Sequence, residues 1–259
     1  MNIFVCIKQV PDAKDVRLDP ETNTLAREGV QSIINPYDRH ALEEAVRLKE
    51  KYSGTVTVIS MGPPQAEVIL REAVSCGADQ GILVSDRAFA GADTLATTYT
   101  IAMAIKKSGT PDLVLCGKQA IDGDTAQVGP GLAERLNMPY VTCVKKINDF
   151  DNDTLLLDRM MDDGYDELEV RLPALLTVIK EINTPRLPSL KGKMKAKKIE
   201  ITTLSAEDIG ADSTQLGLTG SPTWVVNVFS PEFKGERSMI AGSVDEQVVQ
   251  LTEKLTELI

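Results

Sequence analysis

The sequence has a single histidine, His40, and a single tryptophan, Trp224, and aromatic residues make up 4% of its 259 positions. One histidine leaves no pair for an imidazole-based metal site, so no metal is expected. Any Ser-His-Asp or Cys-His catalytic group would have to use His40, which lies on a polar stretch after Pro36 and reads as a solvated surface residue. With so few aromatic rings, the core must be built from Val, Ile, Leu and Ala, a mixture that suits parallel strands covered by helices. Neither G-x-x-x-x-G-K-[ST] nor G-x-G-x-x-G occurs. The four cysteines, Cys6, Cys76, Cys116 and Cys143, include no C-x-x-C pair, and they read as reduced, buried thiols of a cytosolic protein. No apolar run approaches membrane-spanning length, and Met1-Asn2-Ile3-Phe4-Val5 is too short for the apolar part of a signal peptide. The expectation is a cytoplasmic protein without membrane insertion. Positive charge is also short: 28 Lys and Arg against 38 Asp and Glu give a net charge of −10 and a pI near 4.8. Phosphate-rich surfaces are repelled by such a chain, which disfavours nucleic acid and anionic membranes as partners.

What is present is an alternation. Residues 2–10 read as a buried strand, followed by a polar loop punctuated by Pro11, Pro20 and Gly29. Asn35-Pro36 then opens a helix, with Asn as cap and Pro in the first turn, and Ala41, Leu42, Ala45 and Leu48 share one face up to Lys51. Strands are expected at 55–60, 81–85, 112–116 and 140–144, with helices between them after Pro64, over 93–107 and over 128–136. Crossovers of this length imply an α/β fold with a doubly wound, mainly parallel sheet. Residues 154–159, 168–172 and 174–180 read as strands joined by tight turns, an antiparallel extension of that sheet, with Asp162-Asp163-Gly164 the clearest turn. The lysine-rich run 191–198 reads as a solvated strand edge. A Gly-, Ser- and Pro-rich tract over 209–242 and a last helix over 244–258 carry too few apolar residues for a core of their own, so the tail is expected to be a C-terminal arm lying on another chain.

Ligands of open parallel sheets bind outside the carboxyl ends of the strands. The most informative loop there is Gly117-Lys118-Gln119-Ala120-Ile121-Asp122-Gly123-Asp124-Thr125-Ala126-Gln127-Val128. Its glycines allow close backbone approach, Thr125 stands near a helix start that favours an anion, and Lys118 adds a cation. Composition admits two readings, a pyrophosphate cradle or an ordinary strand-to-helix turn in which Asp122 and Asp124 are turn residues. A second candidate is Gly91-Ala92-Asp93-Thr94-Leu95-Ala96-Thr97, where the Thr94 and Thr97 hydroxyls could meet phosphate oxygens or Asp93 could simply cap the helix. Neither loop offers a set of catalytic side chains.

Gly117-Lys118-Gln119-Ala120-Ile121-Asp122, with Gln127 and Gly129 after it, resembles the signature of the electron transfer flavoprotein β subunit. The resemblance covers nearly the whole chain: Val5-Cys6-Ile7-Lys8-Gln9-Val10-Pro11, Asn35-Pro36 with Ala41-Leu42-Glu43-Glu44-Ala45, Ser60-Met61-Gly62-Pro63, Gly77-Ala78-Asp79, Leu172-Pro173-Ala174, Pro185-Arg186 and Met194-Lys195-Ala196-Lys197-Lys198 all fit. It implies a heterodimer with a larger α subunit. It also implies an adenine nucleotide held by Cys6, Asn35, Pro36, Tyr37, Asp38, Met61 and residues 117–128. In simple members of the family that nucleotide is AMP; in electron-bifurcating members it is the ADP part of a second FAD. Asp122-Gly123-Asp124-Thr125 and the segment from Ser85-Asp86-Arg87 to Asp93, Thr94 and Thr97 resemble the FAD-binding, bifurcating forms. These oxidise NADH and pass electrons to an acyl-CoA or related dehydrogenase and to a low-potential acceptor such as ferredoxin or flavodoxin. The implied organisation is a nucleotide-binding domain over 1–183, a partner-recognition loop over 184–199 with Leu190 as its apolar anchor, and an arm over 200–259 on the α subunit. A stand-alone ATP- or AMP-binding module of the stress-protein type, or a nucleic-acid binder using the lysines, are the competing readings; the long tail speaks against the first and the charge against the second.

Overall fold

The computed structural model describes residues 1–12, 17–18, 25–26, 32–226 and 238–257. In chain order its strands and helices are β1 (Asn2–Cys6), β2 (Gln9–Pro11), β3 (Arg17–Leu18), β4 (Leu25–Ala26), β5 (Ser32–Ile34), α1 (Pro36–Tyr52), β6 (Thr55–Met61), α2 (Glu67–Ser75), β7 (Gln80–Val84), α3 (Thr94–Ser108), β8 (Leu113–Gly117), α4 (Val128–Leu136), β9 (Tyr140–Asp151), β10 (Thr154–Met160), β11 (Tyr165–Arg171), β12 (Ala174–Val178), α5 (Leu190–Lys198), β13 (Thr202–Leu204) and α6 (Val244–Thr256). The polar loop read at Pro20 and Gly29, part of the Gly-, Ser- and Pro-rich tract, and the helix end at Leu258 lie outside the described residues.

Nine strands form one sheet in the order β11-β10-β9-β12-β8-β1-β6-β7-β13. The α/β, doubly wound reading holds, because each face of the sheet carries its own core. On one face α1 and α2 pack Leu42, Ala45, Ile69 and Leu70 over Ile3, Val5, Val56 and Val58. On the other α3 and α4 pack Ile101, Ile105 and Leu132 over Phe4, Val114 and Leu175. Successive residues of β1 alternate between these two cores, as the period of a strand buried on both sides requires.

The strand read over 2–10 is two strands. Ladder pairing of β1 with β8 ends at Cys6 against Cys116, and the backbone N–H of Lys8 turns to Asp38 Oδ2 at 2.8 Å. Gln9–Pro11 then pairs antiparallel with β5.

The antiparallel extension is smaller than its sequence suggests. Of the strands expected in it, β12 lies inside the parallel sheet and runs parallel to both β8 and β9. All five of its residues are buried, which marks an interior strand and not an outer one. The long strand β9 makes this possible. Its first part, from Tyr140 to Val144, pairs with β12, and its second part, from Val144 to Asp151, pairs antiparallel with β10.

The lysine run is a helix, not a strand edge. Ser189 Oγ accepts from Gly192 N at 2.9 Å and caps α5. Ala196 is its buried residue, and a side chain on Gly192 would collide with Ser75 O of α2. Arg71 closes the other end, donating to Ala196 O at 2.6 Å and Ile199 O at 3.1 Å, a cation where the helix dipole favours one. The alternation of lysines imitated a strand period, but the packing contact of one small residue and one glycine against α2 decides the conformation.

The arm also begins later than expected. Residues 202–204 extend the sheet as β13, parallel to β7, and Ile209 and Leu216 are buried against the α3 side. The reading of the tail as lying off the domain is therefore corrected for residues 202–221. By contrast α6 has no buried residue.

Candidate functional site

The chain runs from β1 outward through β6 and β7, then returns to the opposite side of β1 as β8. The order of strands reverses there, and the loops leaving β1 and β8 diverge above a crevice, the place where open α/β sheets bind ligands. The residues expected at the site converge on this point.

The N-terminal turn of α1 holds the two loops together. Asn35 was expected to cap the helix, yet its side chain makes no capping bond. It is fully buried and reaches instead into the loop after β8, donating from Nδ2 to Gln119 O at 2.8 Å and accepting from Ile121 N at 3.2 Å. Asp38 bridges the two strand exits, accepting from Lys8 N at 2.8 Å through Oδ2 and from Gly117 N at 3.2 Å through Oδ1. Burial drives the Asp38 carboxyl up to about 7, against the opposing pull of the Asn35 amide, these two backbone donors and the Lys8 charge. Gly117 must be a glycine for this contact by itself, since an added Cβ would meet Asp38 Oδ1 and lie 2.6 Å from Tyr37 Cβ. Pro36 supplies the first helical position, where no N–H is needed.

Beyond Gly117 the loop rises to the surface. Lys118 N donates to Val178 O at 2.8 Å, and Gly123 N and Asp124 N both turn back to Ala120 O. Ile121, Asp122, Gly123, Asp124 and Thr125 are exposed, and nothing stands within 4 Å of where a Gly123 side chain would be. Asp124 and Ala126, on either side of Thr125, have φ of 52° and 54°. Such left-handed backbone at non-glycine residues is uncommon and concentrates at ligand clamps. The two carboxylates of the loop have partners of their own. Asp122 pairs with Lys8 Nζ at 2.8 Å, and Asp124 accepts from Gln119 Nε2. Their charge is thereby partly offset, while the N–H groups of Val128 and Gly129 precede the first bond of α4, from Gly131 N to Gln127 O at 3.0 Å. The loop is a set of backbone donors at a helix start beside an open surface, which fits a phosphate.

The second candidate segment joins the first. Thr94 Oγ1 donates to Gln127 Oε1 at 3.1 Å, tying the start of α3 to the start of α4. Thr97 is half-buried one turn along. Asp93 is the cap, with Oδ1 accepting from Leu95 N at 2.9 Å and Ala96 N at 3.1 Å. Cys6 and Cys116 are register partners at the ends of β1 and β8 and face the α3 and α4 core. The hydrogen bond from Cys6, together with burial, pushes the Cys116 thiol up. All four cysteines are free, and Cys143 is half-buried where a buried thiol was expected. Met61 is half-buried at the end of β6 against the same core.

Other expectations separate from this cluster. Leu190 belongs to α5, packed on α2 at the opposite face of the sheet from α3 and α4, and is 79% exposed, with Leu187 and Met194 exposed beside it. His40 is not a free surface residue: its Nδ1 lies 3.0 Å from Asn183 O, and Asn183 Nδ2 donates to Glu44 Oε2 at 2.9 Å. Lys8 was not singled out for the site, although a cation two residues past the end of the first strand, at the carboxyl edge of the sheet, is a readable signal. Among the described residues no group of three or more His, Cys, Asp and Glu could hold a metal ion, and no helix is long and apolar enough to cross a membrane.

Residues 22–209 match the family model described as the electron transfer flavoprotein domain. The chain is 54% identical over 256 residues to an electron transfer flavoprotein subunit beta of Thermoanaerobacterium thermosaccharolyticum, covering 98% of each chain. It is 51% identical over 259 residues to the caffeyl-CoA reductase-Etf complex subunit CarD of Acetobacterium woodii, covering 99% of this chain and 98% of the relative. It is 47% identical over 259 residues to the protein FixA of Azotobacter vinelandii, covering 98% of this chain and 92% of the relative.

Proposed function

This chain belongs to the electron transfer flavoprotein family as a β subunit, and from that premise we propose that it carries the ADP part of an FAD in the crevice between β1 and β8. The observation that carries the proposal is the loop 117–127, tethered from below by Asn35 and Asp38 and open above at Gly123. Backbone N–H groups at the start of α4 and the hydroxyl of Thr125 are the donors for the pyrophosphate, while Thr94 holds Gln127 beside them. Asp122 and Asp124, already engaged by Lys8 and Gln119, do not repel it at full strength. The small residues 122–125 leave room for more than a monophosphate.

A flavin held there supplies hydride and single-electron chemistry. The residues of this chain bind and orient it and exclude water from its ADP end; none of them acts on a substrate bond. In this reading the chain, with its α subunit, takes electrons from NADH and divides them between a dehydrogenase of acyl-CoA type and a low-potential carrier, ferredoxin or flavodoxin. The relative named as part of a caffeyl-CoA reductase complex supports a partner of that kind. Leu190, with Leu187 and Met194 exposed around it and lysines at 191, 193, 195, 197 and 198, is the proposed dehydrogenase contact: an apolar anchor within a cationic rim. The apolar side of α6 is proposed to lie on the α subunit. A cytoplasmic setting is in keeping with the four free thiols.

The test is to purify the chain with its α subunit, denature the complex and count the nucleotides released. Two FAD and no AMP per heterodimer is the expected result. One FAD and one AMP would make this chain the subunit of a simple carrier that accepts electrons from dehydrogenases.

A further inference from the structure

The chain that leaves the domain toward α6 is fastened at one carboxylate. Residues 213–223 pass over the loop 86–93, where two glycines with left-handed backbone interlock. Gly91, at φ 72°, faces Leu218, whose Cγ would lie 2.6 Å from an added side chain. Gly217, at φ 50°, faces the carbonyls of Ala88 and Ala90, the second of which would lie 2.9 Å from such a side chain. Leu216 of this strap is buried in the core on the α3 side, and Ser221 Oγ, also buried, donates to Gly217 O at 2.7 Å and accepts from Asp93 N at 2.8 Å.

The two oxygens of Asp93 do different work. Oδ1 caps α3 through Leu95 N and Ala96 N, and Oδ2 accepts from Thr223 N at 3.1 Å and Thr223 Oγ1 at 2.8 Å. Although burial raises this carboxyl, the bonds from Ala96 and Thr223 outweigh it and leave it below the ordinary carboxylate range. Immediately past the clamp Trp224, Val225 and Val226 are 69%, 78% and 86% exposed, so the clamp sets the point from which apolar chain departs. Next to Asp93 on the other side, Thr94 bridges to Gln127 of the proposed phosphate loop.

We infer that Asp93 is a positioning residue that couples the outgoing C-terminal chain to the nucleotide site, so that occupancy of the site and docking of residues 224–226 and of α6 on the α subunit strengthen each other. The inference rests on the proposed occupant of the site for its second half. Its first half, the clamp, stands on the geometry alone. Coupling of this kind is reciprocal: whatever loosens the strap weakens nucleotide binding by the factor with which nucleotide loss loosens the strap.

Two variants separate the clamp from the cap. Asp93→Asn keeps an acceptor oxygen for Leu95 N and Ala96 N and loses the acceptor for Thr223 N–H. Thr223→Val removes one bond of the clamp without touching α3. Each would be prepared as the heterodimer with its α subunit, and amide hydrogen exchange would be followed by mass spectrometry. FAD and, separately, AMP would be titrated into the stripped complex.

In Asp93→Asn the amides of residues 217–223 should exchange roughly tenfold faster or more, as loss of hydrogen bonds to a charged acceptor implies, with those of Leu95 and Ala96 unchanged. FAD should bind at least about fivefold more weakly. Thr223→Val should show the same pattern at smaller size. Unchanged exchange in the strap of Asp93→Asn overturns the clamp. Faster exchange with unaltered FAD affinity overturns the coupling and leaves Asp93 a structural residue. Failure of the wild-type complex to take up either FAD or AMP sinks the proposed site, and the coupling with it, while the clamp is still judged by exchange alone.

Discussion

The loop after β8 and the helix α6 are opposites. The loop has irregular backbone, with two non-glycine residues in left-handed conformation, and its local bonds to Ala120 O are supplemented along its length by residues distant in sequence: Asn35 to residues 119 and 121, Asp38 to Gly117, Lys8 to Asp122, Thr94 to Gln127. The helix is regular and makes its own cap. Ser243 accepts from Glu246 N, and the Glu246 side chain accepts from Ser243 N, a reciprocal capping box. Yet it buries none of its residues, and Val244, Val248, Val249, Leu251 and Leu255 are all exposed. A segment with poor local order has a fixed place, and a segment with good local order is buried against none of the described residues. Local regularity and tertiary position are separate properties: the loop is held by the fold at the proposed nucleotide site, and the helix is formed without burial against the described residues.

The largest test of this contrast is Asn35→Ala. It leaves the Gln119 carbonyl and the Ile121 N–H without their buried partner, and a destabilisation of about 2–4 kcal/mol is expected by urea unfolding, with loss of the nucleotide. A loop held locally would lose far less. Gly117→Ala follows, at about 1–3 kcal/mol, because the new methyl group presses on Tyr37 and Asp38 and pushes the loop off α1.

Asp38→Asn gives a smaller effect with a distinct pH signature. The carboxyl is raised from 3.8 to about 7 in the fold, so the folded state binds its proton more tightly than the unfolded chain. This contribution to stability is complete below the unfolded value of 3.8 and declines as pH rises through about 7. The amide of the variant cannot titrate, so wild type should lose stability relative to the variant over that range in unfolding curves taken across it. A difference independent of pH would show that Asp38 is not titrating there.

The smallest effect on the chain itself is expected for Val248→Ser. On α6 alone it should move stability by less than about 0.5 kcal/mol, since Val248 is exposed on a helix that buries none of its residues. The same variant should weaken assembly with the α subunit, measured by analytical ultracentrifugation. Equal affinities would remove the contrast by showing that the helix does not serve the interface.

Much of the fold was legible because burial on two faces writes itself into β1, β6, β8 and the helices between them as apolar runs and helical spacing. The site loop was legible as a place, since Gly117 to Val128 follows an interior strand. What could not be read was the reason for individual residues. Gly117 looks like a ligand-approach glycine, and packing against Asp38 and Tyr37 already requires it. Asn35 looks like a cap and is a long-range tether. Asp93 looks like a cap or a ligand and is a cap and a clamp together. In each case the deciding partner is many positions away, and neither spacing nor propensity carries that information. The misreadings of β12 and α5 have the same origin. A five-residue buried strand and a lysine helix depend on which neighbour they meet, the middle of the sheet in one case and α2 in the other.

By itself, then, the sequence determined the α/β class, the alternation that builds a parallel sheet, the loop that closes its switch point and the local caps of its last helix. These depend on contacts between near neighbours along the chain and on the partition of apolar side chains from water. Tertiary structure alone decided which carboxylates are engaged, which glycines face protein, where the tail stops belonging to the domain and how Asp93 fastens that tail to the start of α3. Each of those follows from a hydrogen bond or a steric contact between segments that only the folded sheet brings within reach.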